Sequence, residues 1–329
     1  MNRKFIKVII PILLLIISAC STSENEESKS KFDGNNELYL MCDASLEIPV
    51  KSIVSDYEKL NPGLKINTEF SGTCDLARKI SDLGKPCDVF ISSDYQMTEK
   101  LLYTQFLEWQ IKFATEEMVI AYNQKSEYSS VFSAENWTKI LLQADVKFGR
   151  VNPDADPCGY RSVFLIKLAQ TFYNLSPEFY DSMLFKDLEN LRLSSADLTN
   201  ELKKNKVDYI FTYKSIAMQN KFKFIEIPSE INLGNAIFDS IYNKVEIKLG
   251  GKVPGEFIKH NGQTIQYAVS ISKNSLNRKM ADNFLNYFFD KSKGLKVFEN
   301  NHIKLCIPAG INNYDKIPSA FRKYALKNG

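Results

Sequence analysis

Histidine is scarce in this chain: His260 and His302 are the only two among 329 residues. That leaves little material for a histidine metal site, and it puts no histidine base close in sequence to Cys158, as a hydrolase using that thiol would need. The cysteines lack the spacing of a zinc site, so no metal-ion site and no cofactor is expected. Five of them (Cys42, Cys74, Cys87, Cys158 and Cys306) follow Cys20. An odd set leaves at least one thiol free, with one disulfide open but not assignable from sequence. Net charge is missing too. Three of the 42 Lys and Arg fall in the first 19 residues (Arg3, Lys4 and Lys7), and the remaining 39 face 39 Asp and Glu. Such a balance argues against a nucleic-acid partner. No internal repeat is apparent.

The N-terminus has its own character. Behind the positive residues, Val8 to Ile17 is apolar and broken only by Pro11, too short to span a bilayer comfortably. Ile17-Ser18-Ala19-Cys20 follows, small residues directly before a cysteine. A plain secretory signal would be cut after such residues; with cysteine in this place the segment resembles the lipobox of bacterial lipoproteins. Residues 1–19 then read as a signal peptide and Cys20 as the lipidated first residue of an exported, membrane-anchored protein. Ser21 to Asn36 is polar and acidic, a flexible tether between lipid and domain.

Hydrophobic residues make up 44% of the chain, enough for one large core or two lobes. From Leu38 onward a strand, a small polar loop and a helix recur three times. Leu38–Met41 leads through Cys42-Asp43-Ala44-Ser45 to a helix ending at Asn61-Pro62-Gly63. Leu64–Phe70 leads through Ser71-Gly72-Thr73-Cys74-Asp75 to a second helix. Asp88–Ile91 leads through Ser92-Ser93-Asp94-Tyr95 to a third, ending at Leu102. This order predicts a parallel sheet with helices on its faces. Ligands bind beyond the carboxyl ends of such strands, where Ser45, Thr73 and Ser92/Ser93 fall. Each hydroxyl singly is a helix N-cap; together they suit an oxyanion cradle. Asp94 reads as the cap of its own helix.

Met118–Tyr122 is an apolar strand taken as the crossing into a second lobe. Trp137–Leu142 (helix), Lys147–Val151 (strand), Asp197–Leu202 (helix), Val207–Tyr213 (strand) and Phe224–Ile227 (strand) fill it. Thr264–Ser272 is a strand that crosses back. Met280–Phe289 and Pro318–Leu326 read as helical. The most informative stretch is Asn152–Ala169, NPDADPCGYRSVFLIKLA, turn chemistry followed by a dense apolar run. Asp156-Pro157 is a helix start, and the free N–H groups there favour an anion. Two crossings make two α/β lobes around a cleft: lobe 1 is 37–119 plus 268–329, lobe 2 is 120–267.

Over Glu37 to the C-terminus the chain resembles the molybdate/tungstate-binding proteins of ABC importers, the archaeal-type tungstate binders above all. The likeness is carried by NPDADPCGYRS (Asn152–Ser162) and by DASLEIP, GKPCDVFISSDY, WQIKFATEEMVIAYN, DYIFTYKSIA and FIEIPSEINL. It implies a two-lobed periplasmic-binding-protein-like fold of type II, its lobes joined by two hinge strands and closing on a dehydrated oxyanion. It also implies a monomeric receptor that hands its ligand to a membrane permease. The family's anion contacts fall on Ser45 and, with threonine for the usual serine, on Thr73. In the second lobe they fall on Asp156 with the Cys158-Gly159 backbone, on the loop at Ser195, and on Tyr213. Family members hold the metal of the oxyanion with two carboxylates, six-coordinate. Asp156 matches one; the other, a glutamate, falls on Ser195, with Asp197 two residues further on. Simpler bacterial molybdate binders use no carboxylate, and Ser195 leans toward that four-coordinate mode.

The chemistry stands beside the likeness. A dehydrated tetrahedral dianion needs N–H and O–H donors for its oxygens. Ser45, Thr73 and Tyr213 hydroxyls with helix N-terminal amides supply them without arginine, so Arg161 reads as structural. Asp156 either caps its helix or bonds directly to molybdenum or tungsten, which accept more than four oxygens. Tyr213 can be a plain core tyrosine, and Cys158 a small buried filler. Three rival readings stay open: a receptor for sulfate or a phosphonate, a surface lipoprotein that has lost ligand binding, and a hydrolase using Cys158.

Overall fold

Apolar alternation in the described chain begins with β1 (Glu37–Asp43), followed by α1 (Glu47–Leu60), β2 (Lys65–Ser71), α2 (Thr73–Ser81), β3 (Val89–Ser92), α3 (Tyr95–Leu102) and β4 (Ile111–Glu116). The computed structural model describes residues 36–251, 255–311 and 313–327. Cys20, the signal segment and nearly all of the tether lie outside the described residues. After Glu117 come β5 (Met118–Tyr122), α4 (Trp137–Ile140), β6 (Phe148–Val151), α5 (Pro157–Phe172), α6 (Phe179–Phe185), β7 (Leu191–Arg192), α7 (Ser195–Lys203), β8 (Tyr209–Tyr213), α8 (Lys214–Gln219) and β9 (Lys223–Glu226). A hairpin, β10 (Glu246–Gly250) and β11 (Phe257–Asn261), precedes β12 (Ile265–Ile271) and β13 (Lys304–Leu305).

Two sheets organise these elements, with orders β13-β4-β12-β3-β1-β2 and β7-β6-β8-β5-β9. The expected parallel arrangement holds for β1 with β2 and β3. It does not hold for the rest of the first sheet, where β12 and β13 pair antiparallel. The cause is the return crossing, which brings β12 back from the other lobe in the opposite sense. The second sheet is mixed as well: β6 runs parallel to β7 and β8, and β5 runs antiparallel to β8 and β9.

The two crossings lie at Glu117 and just before Ile265, slightly off the expected boundaries. Met118 and Val119 already pair in the second sheet, and Ile265 to Tyr267 already pair in the first. An apolar strand does not announce which sheet it joins, so sequence placed these residues in the wrong lobe. The crossings are tied to each other where Thr115 Oγ1 donates to Ile265 O at 2.7 Å.

Each lobe has an aromatic centre. Phe113 on β4, fully buried, meets Phe288 edge-on at 5.1 Å and Phe298 at 5.0 Å. In the second lobe Trp137, Phe148 and Phe211 meet edge to face at 6.0–6.1 Å. Truncating Phe113 to Ala would cost about 3–5 kcal/mol, by lost transfer energy and the cavity left behind. The expected C-terminal helix over Pro318–Leu326 is instead a 3-10 segment, Ser319–Tyr324, then a short strand, Ala325–Lys327, parallel to Ala309–Ile311. The five described cysteines are all free, four of them buried. No disulfide forms among them.

Candidate functional site

Register carries the first half of the site to one edge. Asp43 pairs with Ser71, and Cys42 pairs with Phe70 and Ile91, so β1, β2 and β3 end side by side. The residues just past those ends are Ser45, Thr73 and Ser93, all buried. In the second sheet the carboxyl ends of β6, β7 and β8 likewise lead to Asp156, Ser195 and Tyr213, also buried.

The first-lobe donors converge on Asp43, the first residue of the DASLEIP segment, to which the sequence reading assigned no role of its own. Asp43 Oδ1 accepts from Ser45 N at 3.0 Å and Ser45 Oγ at 2.6 Å. Its Oδ2 accepts from Thr73 N at 3.0 Å, Thr73 Oγ1 at 2.6 Å and Ser93 Oγ at 2.8 Å. An acidic residue closing an apolar strand one step before a Ser loop was the available signal. In sequence it is indistinguishable from an ordinary turn-forming aspartate.

Asp156 plays the matching part in the second lobe. As N-cap of α5 it accepts from Cys158 N at 2.8 Å, the expected capping geometry. Its other oxygen accepts from Ser195 N at 3.2 Å and Ser195 Oγ at 3.1 Å. Burial, and then the nearby Asp43 charge, push its carboxyl up to about 7. Asp197 does not join it: this residue is exposed and its carboxylate meets Ser194 Oγ at 2.8 Å. Cys158 is buried, its thiol 3.6 Å from the Phe211 carbonyl, and burial pushes that thiol well up.

Arg161 and Tyr213 belong together. Arg161 Nη1 donates to Tyr213 Oη at 2.7 Å, and Nη2 donates to Ser93 O at 2.6 Å. The same Nη2 lies 3.4 Å from Asp94 Oδ2. Asp94 caps α3 through Met97 N at 2.9 Å, as the sequence suggests. Its Oδ2 also accepts from Tyr160 Oη at 2.6 Å and lies 3.1 Å from His260 Nε2. Burial alone would raise the Asp94 carboxyl. His260, Arg161 and the Tyr160 hydrogen bond oppose it and hold the group well below the usual carboxylate range. Since Ser93 and Asp94 follow β3 while Tyr160, Arg161 and Tyr213 sit in the other lobe, this cluster ties the two lobes together. Nothing in the sequence pattern marks His260 as a member.

Closure is tight elsewhere too. Arg78 on α2 donates to Asp154 O at 3.1 Å and to Gly250 O at 2.9 Å. A Cβ placed on Gly72 would overlap the Ala155 carbonyl oxygen and lie 2.8 Å from Asp156 Cα. Glycine is required there by the close approach of the opposite backbone. A cleft of about 260 Å³, lined by Ser45, Ile48, Ser195 and Thr199 among others, opens beside the buried site.

Tyr267 is a further residue missed from sequence. It is fully buried on β12, and its hydroxyl lies beside Ser45 and Asp43 without a well-formed hydrogen bond among the described residues. Such an unpartnered buried hydroxyl costs stability unless a ligand or water meets it.

Comparison with known proteins agrees with this architecture. A family model described as bacterial extracellular solute-binding protein matches residues 38–301. An uncharacterized solute-binding protein of Petrotoga mobilis is 35% identical over 303 residues, covering 90% of this chain and 92% of that one. The molybdate/tungstate-binding protein WtpA of Thermococcus kodakarensis is 32% identical over 319 residues, covering 88% of each. Among solved structures, the periplasmic molybdate-binding protein of Azotobacter vinelandii shares the fold with a TM-score of 0.58 at 14% identity, over 82% of this chain and 99% of that one. With a two-lobed α/β fold, a buried polar site between the lobes and a family match over most of its length, the chain belongs to the bacterial extracellular solute-binding proteins.

Proposed function

We propose that this protein captures molybdate or tungstate between its lobes and delivers it to an ABC importer, tethered to the membrane through lipid on Cys20. The observation that carries the reading is the convergence of hydroxyl and amide donors from both lobes, Ser45, Thr73, Ser93, Ser195 and the Cys158 amide, on one buried locus around acidic oxygens. The 32% identity to a molybdate/tungstate-binding relative supports the same ligand class.

The donor set works as follows. Neutral donors replace the anion's hydration shell without adding cationic charge, so size and geometry decide among anions. Arg161, engaged by Tyr213, Ser93 and Asp94, holds Tyr213 in place rather than meeting the ligand. Tyr213 still has its own proton to donate. Asp156 offers a carboxylate oxygen that molybdenum or tungsten can take as an added ligand. A ligand that touches both lobes binds the closed form better than the open one, and that difference drives closure. The protein acts as a monomer that hands its ligand to the permease.

The experiment is thermal unfolding of the purified protein with molybdate, tungstate, sulfate and phosphate in turn. A ligand at a thousandfold its dissociation constant stabilises the native state by about 4 kcal/mol. A large shift with molybdate and tungstate alone is the expected result; a response to sulfate without molybdate would sink the reading. A second reading, a lipoprotein that has lost oxyanion binding, draws on the engagement of the donors by Asp43 and Asp156. It requires no shift with any oxyanion. Lipidation is tested separately by mass spectrometry of the mature N-terminus, where an unmodified Cys20 would remove the anchor.

A further inference from the structure

The site's hydroxyls differ in where their protons go. Ser45, Thr73 and Ser93 all donate to Asp43 at 2.6–2.8 Å, and Ser195 Oγ donates to Asp156 Oδ2 at 3.1 Å. A hydroxyl has one proton, so each of these four must release a carboxylate before it can donate to a ligand. Two tyrosines are different. Tyr213 Oη accepts from Arg161 at 2.7 Å and keeps its proton. Tyr267 Oη is buried beside Ser45 and Asp43 without a well-formed hydrogen bond among the described residues.

The Tyr267 ring is held in one orientation. On β12 it pairs with Ala114, and the next pairing, Ala268 with Lys112, skips Phe113. A bulge of this kind re-aims side chains and is common next to active sites. The skipped Phe113 stacks on the Tyr267 ring at 6.2 Å, and the Tyr213 ring meets it edge-on at 6.4 Å. Burial, and then the nearby Glu116 charge, push the Tyr267 hydroxyl well up, so it keeps its proton and acts as a donor. A buried hydroxyl without a partner costs stability. For packing alone, phenylalanine would fill the same space without that cost.

We propose that Tyr267 is a ligand contact: its hydroxyl, carried by the strand that returns from the second lobe, donates to an oxygen of the bound oxyanion beside Ser45. This inference rests on the molybdate/tungstate reading above. An anion held in this way is tied to the return strand as well as to the loops of both lobes. Binding also relieves the cost of the unpartnered hydroxyl, which favours closure on a ligand over closure without one.

The test is Tyr267→Phe, which removes the hydroxyl and keeps the ring against Phe113 and Tyr213. Calorimetry gives dissociation constants for molybdate and tungstate in the wild type and the variant, and urea unfolding gives the stability of each without ligand. The expected result is an affinity lower by about tenfold or more, the loss of one hydrogen bond to a charged group, with ligand-free stability unchanged or raised. An affinity that falls by less than tenfold overturns the contact and leaves the receptor reading intact. A larger fall accompanied by lower ligand-free stability overturns it too, because a hydroxyl that serves the fold through Ser45 or Glu116 would produce that pair of changes. A wild type that binds neither molybdate nor tungstate removes the receptor reading, and this inference with it.

Discussion

Replacing Asp94 by Asn separates two jobs that one side chain performs. Asn keeps an Oδ1 for the Met97 amide, so the cap of α3, worth about 1 kcal/mol, survives. The Oδ2 is lost, and with it the acceptor for Tyr160 at 2.6 Å, His260 at 3.1 Å and Arg161 at 3.4 Å. Arg161 and Asp94 are 2% and 1% exposed, so solvent cannot take over the pairing. Leaving one member of a buried pair without its partner costs about 3–5 kcal/mol, a large share of a native stability of about 5–15 kcal/mol. Because the cluster joins the two lobes, the loss also weakens the closed form that a ligand selects. Urea unfolding with matched slopes measures the stability term, and calorimetry with molybdate measures the closure term. Asp94→Ala should lose about a further 1 kcal/mol through the cap. A loss below about 1 kcal/mol for Asp94→Asn, with affinity unchanged, would refute the view that this cluster latches the lobes.

Other outcomes follow from the same geometry. Gly72→Ala should hold the lobes apart, because its Cβ meets Ala155 and Asp156 backbone; affinity should fall at least tenfold while the unfolding free energy moves by about 1 kcal/mol or less, and unchanged affinity would contradict the contact. The Asp156 carboxyl, pushed up to about 7 by burial and by Asp43, binds its proton more tightly folded than unfolded. Ligand-free stability should therefore fall as pH rises from about 4 to about 7 and level off above, by up to about 1.4 kcal/mol per pH unit from this group. Glu116, also pushed up to about 7 by burial, adds in the same sense, and Asp156→Asn should flatten the profile measured by urea midpoints between pH 5 and 8. The depressed Asp94 carboxyl acts oppositely: its contribution is present above pH 4 and is lost as pH falls towards the folded-state value. Cys158→Ala should leave ligand affinity within about twofold, since the buried thiol's one hydrogen bond among the described residues is to the Phe211 carbonyl and its backbone amide, the donor to Asp156, is kept; abolished binding would revive a chemical role for the thiol.

Local chemistry was enough for much of this molecule. The three strand–loop–helix units, the Asp156-Pro157 helix start and the Asp94 cap follow from apolar period and capping residues, which act within a few positions of themselves. So do the loops bearing Ser45, Thr73 and Ser195. What those loops face was not local. Asp43 and Asp156 are 113 positions apart and influence each other only because two sheets, with the chain crossing twice, bring their carboxyl ends together. His260 reaches Asp94 from a hairpin 166 positions away, and Gly72 meets Ala155 only when the lobes close. The mixed direction of the first sheet was hidden for the same reason, because an apolar strand such as β12 carries no mark of its partner. Sequence determined the first-lobe helices and strands and the donor loops, but not the C-terminal segment, read as a helix and found as a 3-10 turn and strand. Tertiary structure decided which charges share a buried space, because burial and opposing partners, not residue identity, set what a carboxylate does there.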